Sequence, residues 1–175
     1  MRNDYDEADV GRLIGQLADQ VAAAFPRDRP LNIVGIRTRG EVLAVRLTEL
    51  LADREFQQIG RGVLDITLYR DDLSEVGPRP LVKPTHLAIQ VDGVPLLLVD
   101  DVLFTGRSIR AALDALSDFG RPSAIRLAVL VDRGGELVGQ PANVGLVVVG
   151  AHVGGGGYGK PAGPSRAGGD GRSRV

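Results

Sequence analysis

The chain contains no cysteine, which removes disulfides, thiolate nucleophiles and thiol-built metal sites at one stroke. Histidine is nearly as scarce: His86 and His152 are the two among 175 residues, and they stand far apart. A Ser-His-Asp relay or a histidine-based metal centre therefore has almost nothing to draw on. No apolar run approaches the length of a membrane span, and the opening MRNDYDEADV is too acidic and polar for a secretory leader. A net charge of −1 leaves no chain-wide attraction for nucleic acid, so any basic surface has to be local. What remains is an expected soluble, cytoplasmic chain with no membrane contact, long enough to bury one core.

Against that background one segment stands out, LLLVDDVLFTGRS, residues 96–108. Leu96 to Val99 has the apolarity of a strand buried on both faces. It runs straight into Asp100 and Asp101, and paired carboxylates at the end of a buried strand are costly unless something there needs them. Thr105, Gly106, Arg107 and Ser108 then precede a helical pattern with Ile109, Ala112, Leu113, Leu116 and Phe119 as its apolar positions. Small polar residues ahead of a helix leave backbone N–H groups and the positive dipole end for a phosphate, and Arg107 adds a charged fork. Acceptors for sugar hydroxyls next to donors for a phosphate describe a ribose 5-phosphate site. The alternative is an ordinary strand–turn–helix whose acids cap the helix or face solvent; it explains neither Thr105 nor Arg107. Direct Mg²⁺ ligation by the pair is a further reading, compatible with the first.

The remaining pattern alternates helices and strands. Val10, Leu13, Ile14, Leu17, Val21 and Phe25 recur at helical spacing until Pro26. Leu31 to Ile36 reads as a strand, followed by the turn Arg37-Thr38-Arg39-Gly40 and a helix with Leu43, Leu47, Leu50 and Leu51 inward. A second strand is expected over Gly62 to Tyr69, and Ile125 to Val131 is the last clear one. Residues 70–84 are charged and carry three prolines, as a mobile loop does. Such alternation predicts an α/β fold, a mostly parallel sheet flanked by helices, with ligands bound beyond the carboxyl ends of the strands. Each polar cluster lies just there. Arg39 can grip a pyrophosphate in bidentate fashion where Gly40 lets the backbone approach, although a plain turn with surface arginines is the rival. Arg70, with Asp71 and Asp72, can close over a ligand or simply edge a solvated loop. Asp132 and Arg133, ending the last strand, suit either a base or a structural ion pair; Lys83 and His86 read as surface residues.

Of the 24 glycines, 14 fall between Gly134 and Gly171. The expected division is a domain over residues 1–150 and a Gly-rich, disordered tail over 151–175. GGGGYG within it resembles a nucleotide loop only superficially, because no helical pattern follows.

The hydrophobic run, paired acids and T-G-R-S of residues 96–108 together resemble the signature of the type I phosphoribosyltransferases, which bind phosphoribosyl pyrophosphate (PRPP). Longer phrases, GIRTRG, GVLDITLYRDDLS, LLLVDDVLFTGRSIRAALDAL and GRPSAIRLAVLVDRG, narrow the resemblance to the pyrimidine operon attenuation regulators that are also uracil phosphoribosyltransferases, over roughly residues 8–134. That family implies a sheet core under a small hood and conversion of uracil and PRPP to UMP and pyrophosphate with Mg²⁺ carried by PRPP. It also implies UMP- or UTP-promoted binding to a stem-loop of pyrimidine leader mRNA, and homo-oligomers. By motif match Asp100 and Asp101 hold the ribose hydroxyls, residues Leu103, Phe104, Thr105, Gly106, Arg107 and Ser108 hold the 5′-phosphate, and Thr38 with Arg39 takes the pyrophosphate; Val102 and Gly40 complete the expected substrate-binding set. Arg70 belongs to the lid and Arg133 to the nucleotide or RNA face. Asp100, Asp101 and Arg39 are the catalytic candidates.

The resemblance breaks after Gly134. The family continues with a His-Arg-Glu-Leu-Pro-like segment and a Val-Gly-Lys-Asn; here only Glu136-Leu137 and Val144-Gly145 match, and the His, Arg and Lys are missing. An incomplete hood is the expected consequence. The abrupt change to Gly-, Ala-, Arg- and Pro-rich sequence reads as translation in a shifted frame. The alternative functions are an RNA-binding regulator with little catalysis, or a PRPP-binding product with impaired activity.

Overall fold

The computed structural model describes residues 6–67, 85, 87–133 and, for the backbone alone, 144–152. Helix α1, Glu7–Ala24, opens on a capping box: Asp6 accepts from the Asp9 N–H at 2.7 Å, and Asp9 accepts from the Asp6 N–H at 3.2 Å. Ile14, Leu17, Ala18 and Val21 form its buried stripe, and Phe25 caps it in an extended conformation. Its free C-terminal carbonyl at Ala24 is taken by the Arg126 guanidinium at 2.6 Å, which also lies over the Phe25 ring.

Strand β1 is Leu31–Ile36, buried along its whole length, as the unbroken apolar run implies. Helix α2, Arg39–Ala52, follows after two residues, starting two residues earlier than the sequence suggests, so Arg39 and Gly40 are its first residues rather than part of the loop. Strand β2 is Ile59–Leu64, displaced toward the N-terminus from the expected 62–69. The IGRGVL sequence has little strand propensity, and pairing with β1 from Leu31↔Ile59 to Ile36↔Leu64 holds it extended. It stops because Asp65 turns its carboxylate onto the Thr67 N–H at 2.9 Å.

Strand β3, Leu96–Leu103, continues through both aspartates instead of ending before them, since Asp100 and Val102 stay in register with Val129 and Val131 of β4. Helix α3, Arg107–Ser117, ends before Phe119, which is 43% exposed and not the inward residue that its spacing suggests. Strand β4, Ile125–Asp132, is followed by a further strand absent from the sequence reading, β5, Val144–His152. The Leu146–Val149 run supplies its β-branched character, and an irregularity between Ile125 and Leu127 lets it join β4. Residues 134–143, the expected mobile loop from Arg70 to Pro84 and the Gly-rich tail from residue 153 lie outside the described residues, and the expected hood with them.

All five strands are parallel, in the order β2-β1-β3-β4-β5. Helices α1 and α2 cover one face, packing Leu31, Ile33, Leu97, Val99 and Ala128. Helix α3 covers the other over Val34, Leu96, Leu98, Leu127 and Val129. At its glycines α1 has room for a side chain, Gly11 and Gly15 having nothing within 4 Å; α2 at Gly40 has none. A Cβ on Gly40 would lie on the Val99 carbonyl, and one on Gly35 would lie 2.5 Å from the Gly40 oxygen.

Two substitutions separate these demands. Gly40→Ala is expected to destabilise by about 1–3 kcal/mol, because backbone lies on the other side of the contact. Gly11→Ala in α1, where nothing lies within 4 Å, is expected to stabilise by about 0.5–1 kcal/mol. Urea unfolding of the two variants checks both signs.

Candidate active site

Sequence order and sheet order part company between β1 and β3. The chain leaves β1 toward the β2 edge and, from β3 onward, proceeds toward the opposite edge. In open parallel sheets the crevice for ligands lies at the carboxyl ends of the strands flanking such a point. Here those ends are Arg37-Thr38, feeding α2, and Phe104-Thr105-Gly106, feeding α3. The two helices lie on opposite faces of the sheet, so their N-termini approach one crevice from either side.

Neither helix uses a side chain to cap itself. Thr38 and Gly106 occupy the N-cap positions without a side-chain hydrogen bond to the first turn. Gly106 sits at φ 73°, a left-handed conformation that favours glycine and frees the chain to turn sharply into α3. Arg107 and Ser108 are therefore in the first turn of α3 rather than ahead of it. Thr105 and Arg107 are exposed, and Ser108 is half-buried. Uncapped N–H groups with hydroxyls and a guanidinium beside them are a binding surface for phosphate oxygens.

Between the two helix ends lie the aspartates. Asp100 is 8% exposed, and the N–H of Asp101 donates to its Oδ1 at 2.9 Å. Loss of hydration nevertheless dominates, and with the neighbouring Asp101 charge it raises the Asp100 carboxyl from 3.8 to about 7, against the lowering effect of that one backbone bond. Asp101 is more open. Its Oδ1 accepts from the Val102 N–H at 2.9 Å, and its Oδ2 lies 3.3 Å from Nη1 of Arg39. Two acceptors of different character thus lie side by side: one buried and pushed toward its protonated form, the other more open and beside the exposed Arg39 guanidinium.

The structure brings Thr38, Arg39 and Gly40 together with Asp100, Asp101, Val102 and the Leu103–Ser108 turn. Arg133 joins them indirectly: its N–H donates to the Leu103 carbonyl at 2.8 Å, and its guanidinium carbon lies 4.7 Å from the Phe104 ring centroid. Asp132 beside it is fully buried. Arg70 lies outside the described residues. One participant escaped the sequence reading: Gly35 seats α2, and a glycine inside a buried strand is the signal that marks it. Arg37, the first residue of the expected turn, is half-buried with its guanidinium 3.9 Å from Glu41.

Among the described residues no cluster of three or more acids or histidines is placed to hold a metal. Two carboxylates alone leave a divalent ion short of its six oxygen ligands, so any ion here has to draw most of its ligands from what binds with it.

A family profile described as phosphoribosyl transferase domain matches residues 3–143. The Bifunctional protein PyrR of Roseiflexus sp. (strain RS-1) is 51% identical over 129 residues, covering 74% of this chain and 70% of its own. That of Thermus aquaticus is 50% identical over 126 residues, covering 72% of this chain and 70% of its own. Among solved structures, a hypoxanthine phosphoribosyltransferase from Staphylococcus aureus has a TM-score of 0.60 at 17% identity, over 85% of this chain and 75% of that one. The Trypanosoma cruzi hypoxanthine phosphoribosyltransferase gives 0.60 at 18% identity, over 85% and 79%. Those two likenesses are of fold.

The raised Asp100 carboxyl fixes a pH dependence. Between 3.8 and about 7 the folded chain holds a proton that the unfolded chain releases. The ligand-free protein therefore loses stability as pH rises across that window and no more above it, by roughly 2–4 kcal/mol from this group. Asp100→Asn mimics the neutral form, so its melting temperature relative to wild type is expected to rise from pH 5 to pH 8. A difference that stays flat in thermal melts across that range would contradict the burial of Asp100.

Proposed function

This chain belongs to the phosphoribosyl transferase family, among its bifunctional PyrR members, and on that premise we propose that it transfers the phosphoribosyl group of PRPP to uracil. UMP forms and pyrophosphate leaves. The observation that carries the reading is the pair Asp100–Asp101 set between two uncapped helix N-termini, with Arg39 against Asp101.

Such a transfer needs no covalent nucleophile. The bond from C1′ to pyrophosphate breaks as N1 of uracil bonds to C1′ and gives up its proton to solvent, through a ribose with oxocarbenium character. The protein's task is to hold the partners in line and to balance the charge growing on the leaving group. In this reading Asp100 and Asp101 accept the ribose hydroxyls, and the backbone N–H groups from Leu103 to Ser108, with the Thr105 and Ser108 hydroxyls and Arg107, hold the 5′-phosphate. Thr38, Arg39 and Gly40 take the pyrophosphate, Arg39 exchanging Asp101 for the departing anion. Val102 and Arg133 border the nucleotide, and Arg70 belongs to a lid that excludes water. Asp100 and Asp101 are the residues that would help hold a Mg²⁺ carried by PRPP, which would supply positive charge to the leaving group.

The bifunctional name of the relatives supports a second activity in the same chain, binding of pyrimidine leader mRNA at a stem-loop, promoted by UMP or UTP. We place both activities in the cytoplasm, in a homo-oligomer. An RNA-binding regulator with little catalysis, or a PRPP-binding protein of impaired activity, is what remains if transfer is absent.

The assay that tests the reading follows pyrophosphate release from PRPP with uracil, orotate, hypoxanthine or adenine. Uracil is expected to be the accepted base, and no release with uracil overturns the catalytic reading. The double variant Asp100→Asn/Asp101→Asn is expected to lose about 100-fold or more in rate while melting cooperatively. Binding of a pyrimidine-leader stem-loop is expected to strengthen with UMP and to weaken steeply with salt; binding indifferent to UMP removes the regulatory half.

A further inference from the structure

Two helices of this chain begin on the same sequence device, and only one of them uses it. At α1 the N-cap Asp6 and the third helical residue Asp9 each accept from the other's backbone N–H, at 2.7 and 3.2 Å, and the capping box is closed. Helix α2 opens on Thr38-Arg39-Gly40-Glu41, a T-x-x-E box with Thr38 at the N-cap and Glu41 as the third helical residue. Among the described residues neither of its bonds is made. Thr38 is in a helical conformation, φ −106° and ψ −33°, where Asp6 is extended, and its hydroxyl caps nothing. Glu41 lies instead beside Arg37, its Oε2 3.9 Å from the guanidinium Nε.

That contact is poorly suited to be a structural tie. At 3.9 Å the charges meet without a hydrogen bond, and Nε of Arg37 is buried with no acceptor among the described residues. An arginine placed for strength would grip the carboxylate with both arms of its fork. The backbones at both ends are nevertheless fixed. The Arg37 N–H donates to the Leu64 carbonyl at 2.9 Å, and a Cβ on Gly35 would lie 2.6 Å from the Glu41 Cα, so the first turn of α2 rests on β1. The two residues stand as posts on either side of Thr38, Arg39 and Gly40. Their side chains are 17% and 37% exposed, so solvent screens the charges only in part. The arrangement keeps a first-turn carboxylate balanced and away from the free N–H groups of its own helix. Released, that carboxylate can do what Asp9 does at α1 and take them.

Resting on the reading of Thr38, Arg39 and Gly40 as the pyrophosphate turn, we propose that Arg37 is a positioning residue that holds this turn open. It restrains Glu41, an anion built into the chain, from closing the capping box and excluding the anion of the ligand. Arg37 touches no ligand in this role. Its charge and that of Glu41 offset each other, which leaves the exposed Arg39 as the cation that an incoming phosphate meets.

The test titrates inorganic pyrophosphate calorimetrically with Mg²⁺ present, and ribose 5-phosphate serves as the control for the neighbouring acids. Arg37→Gln is expected to weaken pyrophosphate on the order of tenfold and to leave ribose 5-phosphate unchanged. Glu41→Ala is expected to bind pyrophosphate at least as tightly as wild type. The double variant Arg37→Gln/Glu41→Ala is expected to regain wild-type affinity, a rescue that neither a merely structural arginine nor one that grips the ligand itself allows. The proposal is overturned if Arg37→Gln binds pyrophosphate like wild type, or if the double variant stays as weak as Arg37→Gln. It is equally overturned if Glu41→Ala loses pyrophosphate, a result that holds whether or not Arg37→Gln melts cooperatively. Wild type that binds ribose 5-phosphate but no pyrophosphate refutes the pyrophosphate turn and this role with it, leaving the ribose site intact. Wild type that binds neither refutes the ribose site as well.

Discussion

The close approach of α2 to the sheet is the contact on which the site depends. Gly35 in β1 and Gly40 in α2 allow helix backbone to rest directly on strand backbone, Gly40 against the Val99 carbonyl. With any side chain at either position the helix would stand off by roughly the width of a methyl group, and its N-terminus would move with it. Arg39 is the first residue of that helix, so its distance from Asp101 is set by two absent side chains and not by the charges themselves. Charge attraction between exposed groups is worth well under 1 kcal/mol and does not position a helix; packing does.

The same reasoning explains why the acids can be so expensive. Asp100 lies inside β3, held in register by pairing with Val129, and a strand cannot slip by one residue without turning its apolar set out of the core. Leu96 to Val99 and Leu103 therefore pin the aspartates from both sides. The sheet imposes the burial of Asp100, and the raised carboxyl is the result. Stability is surrendered here to a buried carboxyl at the carboxyl end of the sheet, the kind of conflict that marks a candidate site rather than a core.

How far the fold was legible follows from the kind of signal each element carries. LNIVGI and IRLAVLV are apolar on both faces, and a strand buried on both sides is written in its own residues; β1 and the body of β4 fell where expected. IGRGVL is not so written. Its extended form is imposed by β1, so β2 was displaced by three residues at its start, and Asp65 ended it through a side-chain bond that no periodicity shows. The ends of β3 and α3 shifted for a related reason: pairing with β4 carried the strand through two polar residues, and the helix absorbed Arg107 and Ser108 into its first turn. At the site, Asp100 to Ser108 and Thr38 to Gly40 were legible because glycines and acids in such places conflict with their surroundings. Phe104 against Arg133 was not, since stacking between two loop residues far apart in the chain leaves no local pattern.

The chain's poverty in cysteine and histidine then becomes intelligible from the charges that it does supply. The crevice holds two helix N-termini, one guanidinium on Arg39 and one on Arg107, beside the open carboxylate of Asp101 and the buried Asp100, whose carboxyl is raised to about 7. That balance is positive at the two helix N-termini and becomes more negative only at the two acids. The Arg39–Asp101 pair at 3.3 Å is exposed and weak, so an incoming anion draws Arg39 away at little cost. A tightly buried pair in its place would have held Arg39 fast, because separating it would strand an uncompensated charge. Under the proposed transfer, the arginine nearest the leaving group would thus be the one least committed to its partner, a cation able to follow charge as it moved from C1′ to the pyrophosphate.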